Sequence, residues 1–130
     1  MELPENIVQF IQIASAKALA TCVNGSANVV PVSKIKVVDN KIWLVNYFMG
    51  KTIENIRQNS TVSLACWQGL EGYQIKGEVE YLTEGEIFSS VATEAATEYP
   101  DRTVQGVLVL TAKELFDVSA TADKPGKKLI

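Results

Sequence analysis

Apolar positions along this chain recur with two periods, and the changes of period divide it into elements. Over residues 4–15, Ile7, Phe10, Ile11 and Ala14 fall at helical spacing behind Pro4, which suits a first helical position. The pattern predicts a short helix that lids one end of a core. Residues 17–23 alternate instead, with Leu19, Thr21 and Val23 on one face and Ala18, Ala20 and Cys22 on the other. Asn24-Gly25 follows, a pair that tolerates positive φ and predicts a tight hairpin. The return strand over residues 27–38 carries Pro31 in its middle, and proline cannot donate to a ladder. That position must be an edge, a bulge or a place where the partner strand is missing. Asp39-Asn40 is a second turn, and residues 41–47 form a third strand with Trp43 and Val45 opposite Ile42 and Leu44.

A turn through Met49-Gly50 leads into a short amphipathic helix opening at Lys51-Thr52, with Ile53 and Ile56 on one face and its end at Asn59-Ser60. Residues 61–67 are a fourth strand and residues 68–72 a loop. Residues 73–82 show the cleanest period of two, with Tyr73, Ile75, Gly77, Val79 and Tyr81 opposing Gln74, Lys76, Glu78 and Glu80. Residues 83–99 open on Thr-Glu-Gly-Glu in the manner of a capping box and continue as a helix until Pro100. Residues 104–111 read as a strand buried on both faces that residues 114–118 extend past a bend. Six strands joined mostly by hairpins, with short flanking helices, predict a mainly β fold: a small antiparallel barrel with α+β decoration. Residues 1–118 form its single domain, and residues 119–130 form a C-terminal tail that is mobile or docks on a partner.

Composition narrows the chemistry. At 130 residues and 47% hydrophobic content the chain can bury a core without disulfides, and its apolar runs are too short to span a membrane. A net charge of −3 argues against nucleic acid as a partner. No basic and apolar leader opens the sequence, so the expected location is the cytoplasm. Cys22 and Cys66 lie far apart within strand-like segments and read as small buried hydrophobes. The chain has no histidine. Histidine-dependent nucleophiles, proton shuttles and most catalytic zinc or iron sites are thereby excluded, and a reactive group is better supplied by a cofactor.

Two stretches carry candidate chemistry. Gly50, Lys51 and Thr52 deliver free backbone N–H groups, an ammonium and a hydroxyl to one helix start, which suits a phosphate. The competing reading is a solvated lysine at an ordinary helix end. A nucleotide-binding P-loop is excluded by spacing, since Val45 stands where that motif needs a glycine. The second stretch is Val30, Pro31, Val32, Ser33 and Lys34. If Pro31 breaks the ladder, the freed backbone groups need partners, and a planar heterocycle with alternating donors and acceptors could supply them. Lys36 protrudes beside Lys34, and an ordinary wet strand face explains both lysines equally well. Trp43, Trp67 and Tyr47 are candidates to stack on such a ring or simply to pack the core.

From the Asn-Gly hairpin through NVVPVSKIKVVDNKIWLVNYFMGKTIENIRQNSTVSLACW to YQIKGEVEYL, the chain resembles the FMN-binding split barrels related to pyridoxamine 5'-phosphate oxidase. The resemblance runs from about Ile7 to Val118. It implies a six-stranded antiparallel split β-barrel holding FMN at the seam of a homodimer. Position by position, it implies Lys51 and Thr52 on the phosphate, with Lys34 near the phosphate or the flavin. Val30, Pro31, Val32 and Ser33 would line the isoalloxazine, and Asn46, Met49 and Gly50 would border the cavity. The expected function is that of an oxidoreductase or electron carrier. A deazaflavin-dependent reductase, or a binding module that has lost its cofactor, remains as an alternative. Gly50 replaces the arginine that precedes the phosphate lysine in the oxidase itself, and the chain has only Arg57 and Arg102, so oxidation of pyridoxamine phosphate is not expected.

Overall fold

A computed structural model describes residues 1–123 and 125–130. Among the described residues, eight strands form one antiparallel sheet. In chain order the elements are α1 (Glu5–Ile13), β1 (Ala16–Val23), β2 (Ser26–Pro31), β3 (Ile35–Val38), β4 (Lys41–Asn46) and α2 (Gly50–Gln58), followed by β5 (Thr61–Gln68), β6 (Glu71–Leu82), α3 (Glu86–Glu98), β7 (Gly106–Asp117) and β8 (Lys127–Lys128).

The strand order is β2-β1-β5-β6-β7-β4-β3, so the two edge strands are consecutive in the chain. Only Val32, Ser33 and Lys34 separate them, and the sheet must curl until its edges adjoin there. The result is an antiparallel barrel split between β2 and β3. The long return strand expected over residues 27–38 is therefore two strands. Pro31 ends β2, an edge strand paired only with β1, where its missing N–H leaves no ladder bond unmade. Beyond it, the Val32 N–H still donates to the Lys17 carbonyl at 3.0 Å, while the Lys34 carbonyl accepts from Val45 N–H at 3.2 Å. Ser33, between those two anchors, makes no hydrogen bond among the described residues.

Two apolar clusters fill the molecule. Inside the barrel, Leu19, Leu44, Leu64, Ile75, Leu108, Leu110 and Leu115 are fully buried, with α1 closing one end through Ile7 and Ile11. Phe10 of α1 meets Tyr73 edge-on at 5.0 Å between ring centroids, so α1 is the expected lid. The second cluster lies on the outer face, where Val91 and Ala95 of α3 cover Val45, Tyr47 and Val107.

Three expectations shift in detail. The Thr83 capping box does not form, because Gly85 adopts φ +96° and α3 starts only at Glu86, with no side-chain cap. The two stretches expected at residues 104–111 and 114–118 are one strand, β7, since the irregularity opposite Lys76/Gly77 is absorbed as a bulge. In the stretch expected as a tail, residues 127–130 return to the barrel: β8 pairs with Phe116 and Asp117, and Leu115 exchanges backbone hydrogen bonds with Leu129 and Ile130.

Candidate functional site

The site lies where β4 passes into α2, beside the split. Asn46, the last residue of β4, is buried, and both polar atoms of its side chain are engaged. Its Oδ1 accepts the Met49 N–H at 2.7 Å and its Nδ2 donates to the Tyr81 hydroxyl at 2.8 Å. The Asn46 carbonyl accepts from Gln105 N–H at 2.8 Å, which ties in the segment ahead of β7. One side chain thus fixes the bend through residues 47–49 that aims the start of α2. Gly106 completes this corner, since a Cβ there would lie 2.3 Å from the Tyr81 ring.

Phe48, at the tip of the bend, is 85% exposed, and a groove runs on either side of it. One, of about 520 Å³, is lined by Val30, Pro31, Val32, Ser33, Val45, Tyr47, Met49 and Arg102. The other, of about 610 Å³, is lined by Asn46, Tyr47, Met49, Gly50, Ile53, Arg57, Tyr81, Thr83 and Gln105. The structure therefore joins seven of the residues named from sequence: Val30, Pro31, Val32, Ser33, Asn46, Met49 and Gly50.

The other three lie differently. Thr52 is fully buried, and its Oγ1 accepts from Asn28 Nδ2 at 3.2 Å. Asn55 donates to Thr21 Oγ1 at 2.9 Å, and Asn59 donates to the Cys22 carbonyl at 2.9 Å. These polar residues pin α2 and its C-terminal end onto the β1–β2 hairpin, and the Thr52 hydroxyl takes part in that contact. Lys51 is exposed in the first turn of α2, which contains no acidic residue and no side-chain cap, leaving its first N–H groups free. Lys34 points to α3, where its Nζ meets Glu98 at 2.9 Å and Glu94 at 3.5 Å. The hydrogen bond to Glu98 raises the Lys34 pKa above its usual 10.5. Lys36 reaches Glu94 at 3.3 Å and holds that carboxyl below its usual range.

Arg57, Arg102 and Tyr81 went unnamed as site residues. Arg102 lies over two rings, with its guanidinium carbon 5.4 Å from the Tyr47 centroid and 4.5 Å from that of Tyr99. Arg57 lies 5.8 Å from the Tyr81 centroid. No spacing in the sequence links these residues; only the curl of the sheet brings them together. Trp67 stands apart, at the end of β5 in a separate hollow with Leu70 and Val118, and Trp43 packs under α3.

Tyr47 is 5% exposed, and its hydroxyl is buried without a hydrogen-bond partner among the described residues. Burial raises its pKa above 10, against the opposing pull of Arg102, so the group is a neutral donor at physiological pH.

The chain matches the pyridoxamine 5'-phosphate oxidase family over residues 3–124. It belongs to that family. It is 30% identical to the uncharacterized protein MJ0282 of Methanocaldococcus jannaschii, over 92% of this chain and 78% of that one. Its fold is that of HupZ from Group A Streptococcus (TM-score 0.80, 20% identity, covering 92% and 97% of the two chains). An FMN-binding protein from Syntrophomonas wolfei subsp. wolfei is also similar (TM-score 0.75, 16% identity, 89% and 88%). The expected family and split-barrel class are both met. No helix among the described residues is long and apolar enough to cross a membrane.

Proposed function

We propose that this protein is a cytoplasmic, homodimeric FMN-binding oxidoreductase or electron carrier that holds its flavin in the grooves flanking Phe48. The observation that carries the reading is the break at Ser33, whose backbone N–H and carbonyl lack partners among the described residues, in a groove walled by Val30, Pro31 and Val32. A flat ring edged with donors and acceptors matches those groups. The phosphate falls to the start of α2, where the free N–H groups, Lys51 and the nearby Arg57 offset its charge. Gly50 leaves the approach open, since nothing lies within 4 Å of where its Cβ would be.

Bound flavin would supply electron or hydride transfer. The chain's own residues bind and orient: Asn46 sets the bend, Met49 and Val32 exclude water, and the split supplies backbone hydrogen bonds. Phe48 at 85% exposure leaves a large apolar side chain open between the grooves, which supports a second copy of the chain as its cover.

The test is the visible spectrum of the purified protein and its titration with FMN, with a deazaflavin cofactor titrated beside it. A yellow protein, or one that quenches FMN fluorescence, is expected; a colourless protein that ignores FMN refutes the proposal. Lys51→Ala should weaken FMN more than riboflavin, and equal weakening removes Lys51 from the phosphate role.

A further inference from the structure

The end of α3 and the segment that follows it are held to the barrel by opposed forces of modest size. Of the 13 residues of α3 only Val91 and Ala95 are buried, and they join the small outer cluster rather than the barrel core. The last turn has no basic residue, so the Glu98 carboxylate sits at the negative end of the helix dipole with nothing on α3 to offset it. The offset comes from the split. Lys34 Nζ reaches Glu98 at 2.9 Å and Glu94 at 3.5 Å, and Lys36 reaches Glu94 at 3.3 Å. All four side chains are partly exposed, and such pairs are individually weak and screened by salt. Beyond the helix, Tyr99 meets Tyr47 edge-on at 6.1 Å between centroids, and Arg102 lies over both rings. Arg102 also lines the groove that Pro31 and Ser33 line.

Under this cover the Tyr47 hydroxyl is buried with no hydrogen-bond partner among the described residues. Native proteins rarely leave a buried hydroxyl unbonded, because the group forfeits its water. The groups whose charges act on it are Arg102, Tyr99, Glu98 and Lys34, all of them in the covering segment or its ionic latch. Opening the segment returns water to the hydroxyl, so the orphaned group weighs against the closed state while the lysines weigh for it. The far end is fixed, since Gln105 N–H is bonded to the Asn46 carbonyl at 2.8 Å. We propose that residues 94–102 form an ionic strap over the Tyr47 end of the groove, latched by Lys34 and Lys36, which opens as a local unit while the barrel stays folded and so gates the groove's ligand. The gating rests on the flavin reading; the opening does not.

Native-state hydrogen exchange on the ligand-free protein tests the strap. The Tyr99 and Arg102 amides, bonded to the Ala95 and Tyr99 carbonyls at 2.7 and 3.0 Å, report its opening. They are expected to exchange at least about a hundredfold faster than the barrel amides of β5 and β6, which wait for global unfolding. Lys34→Met should speed the strap amides about threefold to tenfold, and added salt should act in the same direction, with β6 unmoved. Tyr47→Phe keeps the ring and removes the orphaned hydroxyl, so it should slow the same amides about tenfold. A tyrosine that only packs would give no such slowing. Strap amides as protected as those of β6, no response to Lys34→Met, or a Tyr47→Phe variant that does not slow exchange would each overturn the strap. With FMN, stopped-flow fluorescence should show Lys34→Met raising association and release rates together; a rise in release alone would make Lys34 a ligand contact and refute the gate. Failure to bind FMN sinks the flavin reading, while exchange in the ligand-free protein still decides the strap.

Discussion

Asn46→Ala is the substitution that most directly tests how the fold builds the site. It removes the acceptor of the buried Met49 N–H and the donor to the Tyr81 hydroxyl. A buried polar group left unpaired costs about 1–3 kcal/mol, and two are orphaned here, so a loss of about 3 kcal/mol follows. For 130 residues, unfolding entropy of about 2.1 cal/mol/K per residue converts each kcal/mol into about 4 °C, so the midpoint should fall by about 10 °C. Circular dichroism melts and urea titration would read it. Tyr81→Phe alone loses one half-buried bond and should cost about 1 kcal/mol. In that background Asn46→Ala leaves one group fewer orphaned, so the double variant should be less than additive by about 1 kcal/mol. A drop below about 3 °C for Asn46→Ala, or strict additivity with Tyr81→Phe, would show that Asn46 does not hold the bend.

Further outcomes follow from the same geometry. Gly77→Ala puts a methyl 2.1 Å from the Thr111 carbonyl oxygen, a backbone obstacle at the β6–β7 bulge, and should cost about 3 kcal/mol or prevent folding. Gly50→Ala meets nothing within 4 Å and should leave the urea midpoint unchanged. On the proposed homodimer, Phe48→Glu should convert dimer to monomer in sedimentation while preserving the circular dichroism; a wild-type monomer refutes the dimer, and a dimer unchanged by this charge would move the interface elsewhere. Cys66 is enclosed and its thiol is pushed up to about 12 by burial, so the native protein should react with a disulfide reagent only at Cys22 until denaturant is added. The ion pairs to α3 should show in pH melts. The raised Lys34 pKa stabilises below its usual 10.5 and is lost as pH climbs through the higher folded value. The lowered Glu94 pKa stabilises above its usual 4.5 and is lost as pH falls through the lower folded value. Glu94→Gln should therefore cost below about 1 kcal/mol near neutrality and nothing in acid, because the pairs are solvent-exposed.

Local signals made most elements legible. Pro4, Asn24-Gly25, Asp39-Asn40 and the alternation over residues 73–82 each act within a few residues, and each marks an element where the structure has one. Pro31 was read as a break without its consequence: only the strand order shows that the chain crosses there from one edge of the sheet to the other. The groove was legible where backbone lines it, at Val30, Pro31, Val32, Ser33, Met49 and Gly50. It was not legible at Arg102, which follows α3 and reaches Tyr47 only because α3 packs on the outer face of β4 and β7. Thr52 shows how little a helix-start hydroxyl says by itself. A hydroxyl at a helix start looks alike in sequence whether it faces an anion or, as here, Asn28 inside the fold.

The distribution of ion pairs bears on why the arginines stand where they do. Acidic residues outnumber basic ones by 15 to 12, so partners are plentiful, and Lys34, Lys36 and Lys128 each take one. Arg57 and Arg102 pair best with carboxylates by geometry, yet they rest on tyrosine faces instead. A guanidinium stacked on a ring gains about 0.5–1 kcal/mol at an exposed site and keeps its in-plane N–H donors free. The arrangement holds each cation on a ring face beside a groove, and on the proposed flavin reading it leaves both available to an anionic ligand. Lysine cannot substitute, because its ammonium lacks the planar fork. Arg57→Lys and Arg102→Lys should thus preserve the melting temperature while weakening anion binding, and that binding should fall with added salt more steeply than stability does.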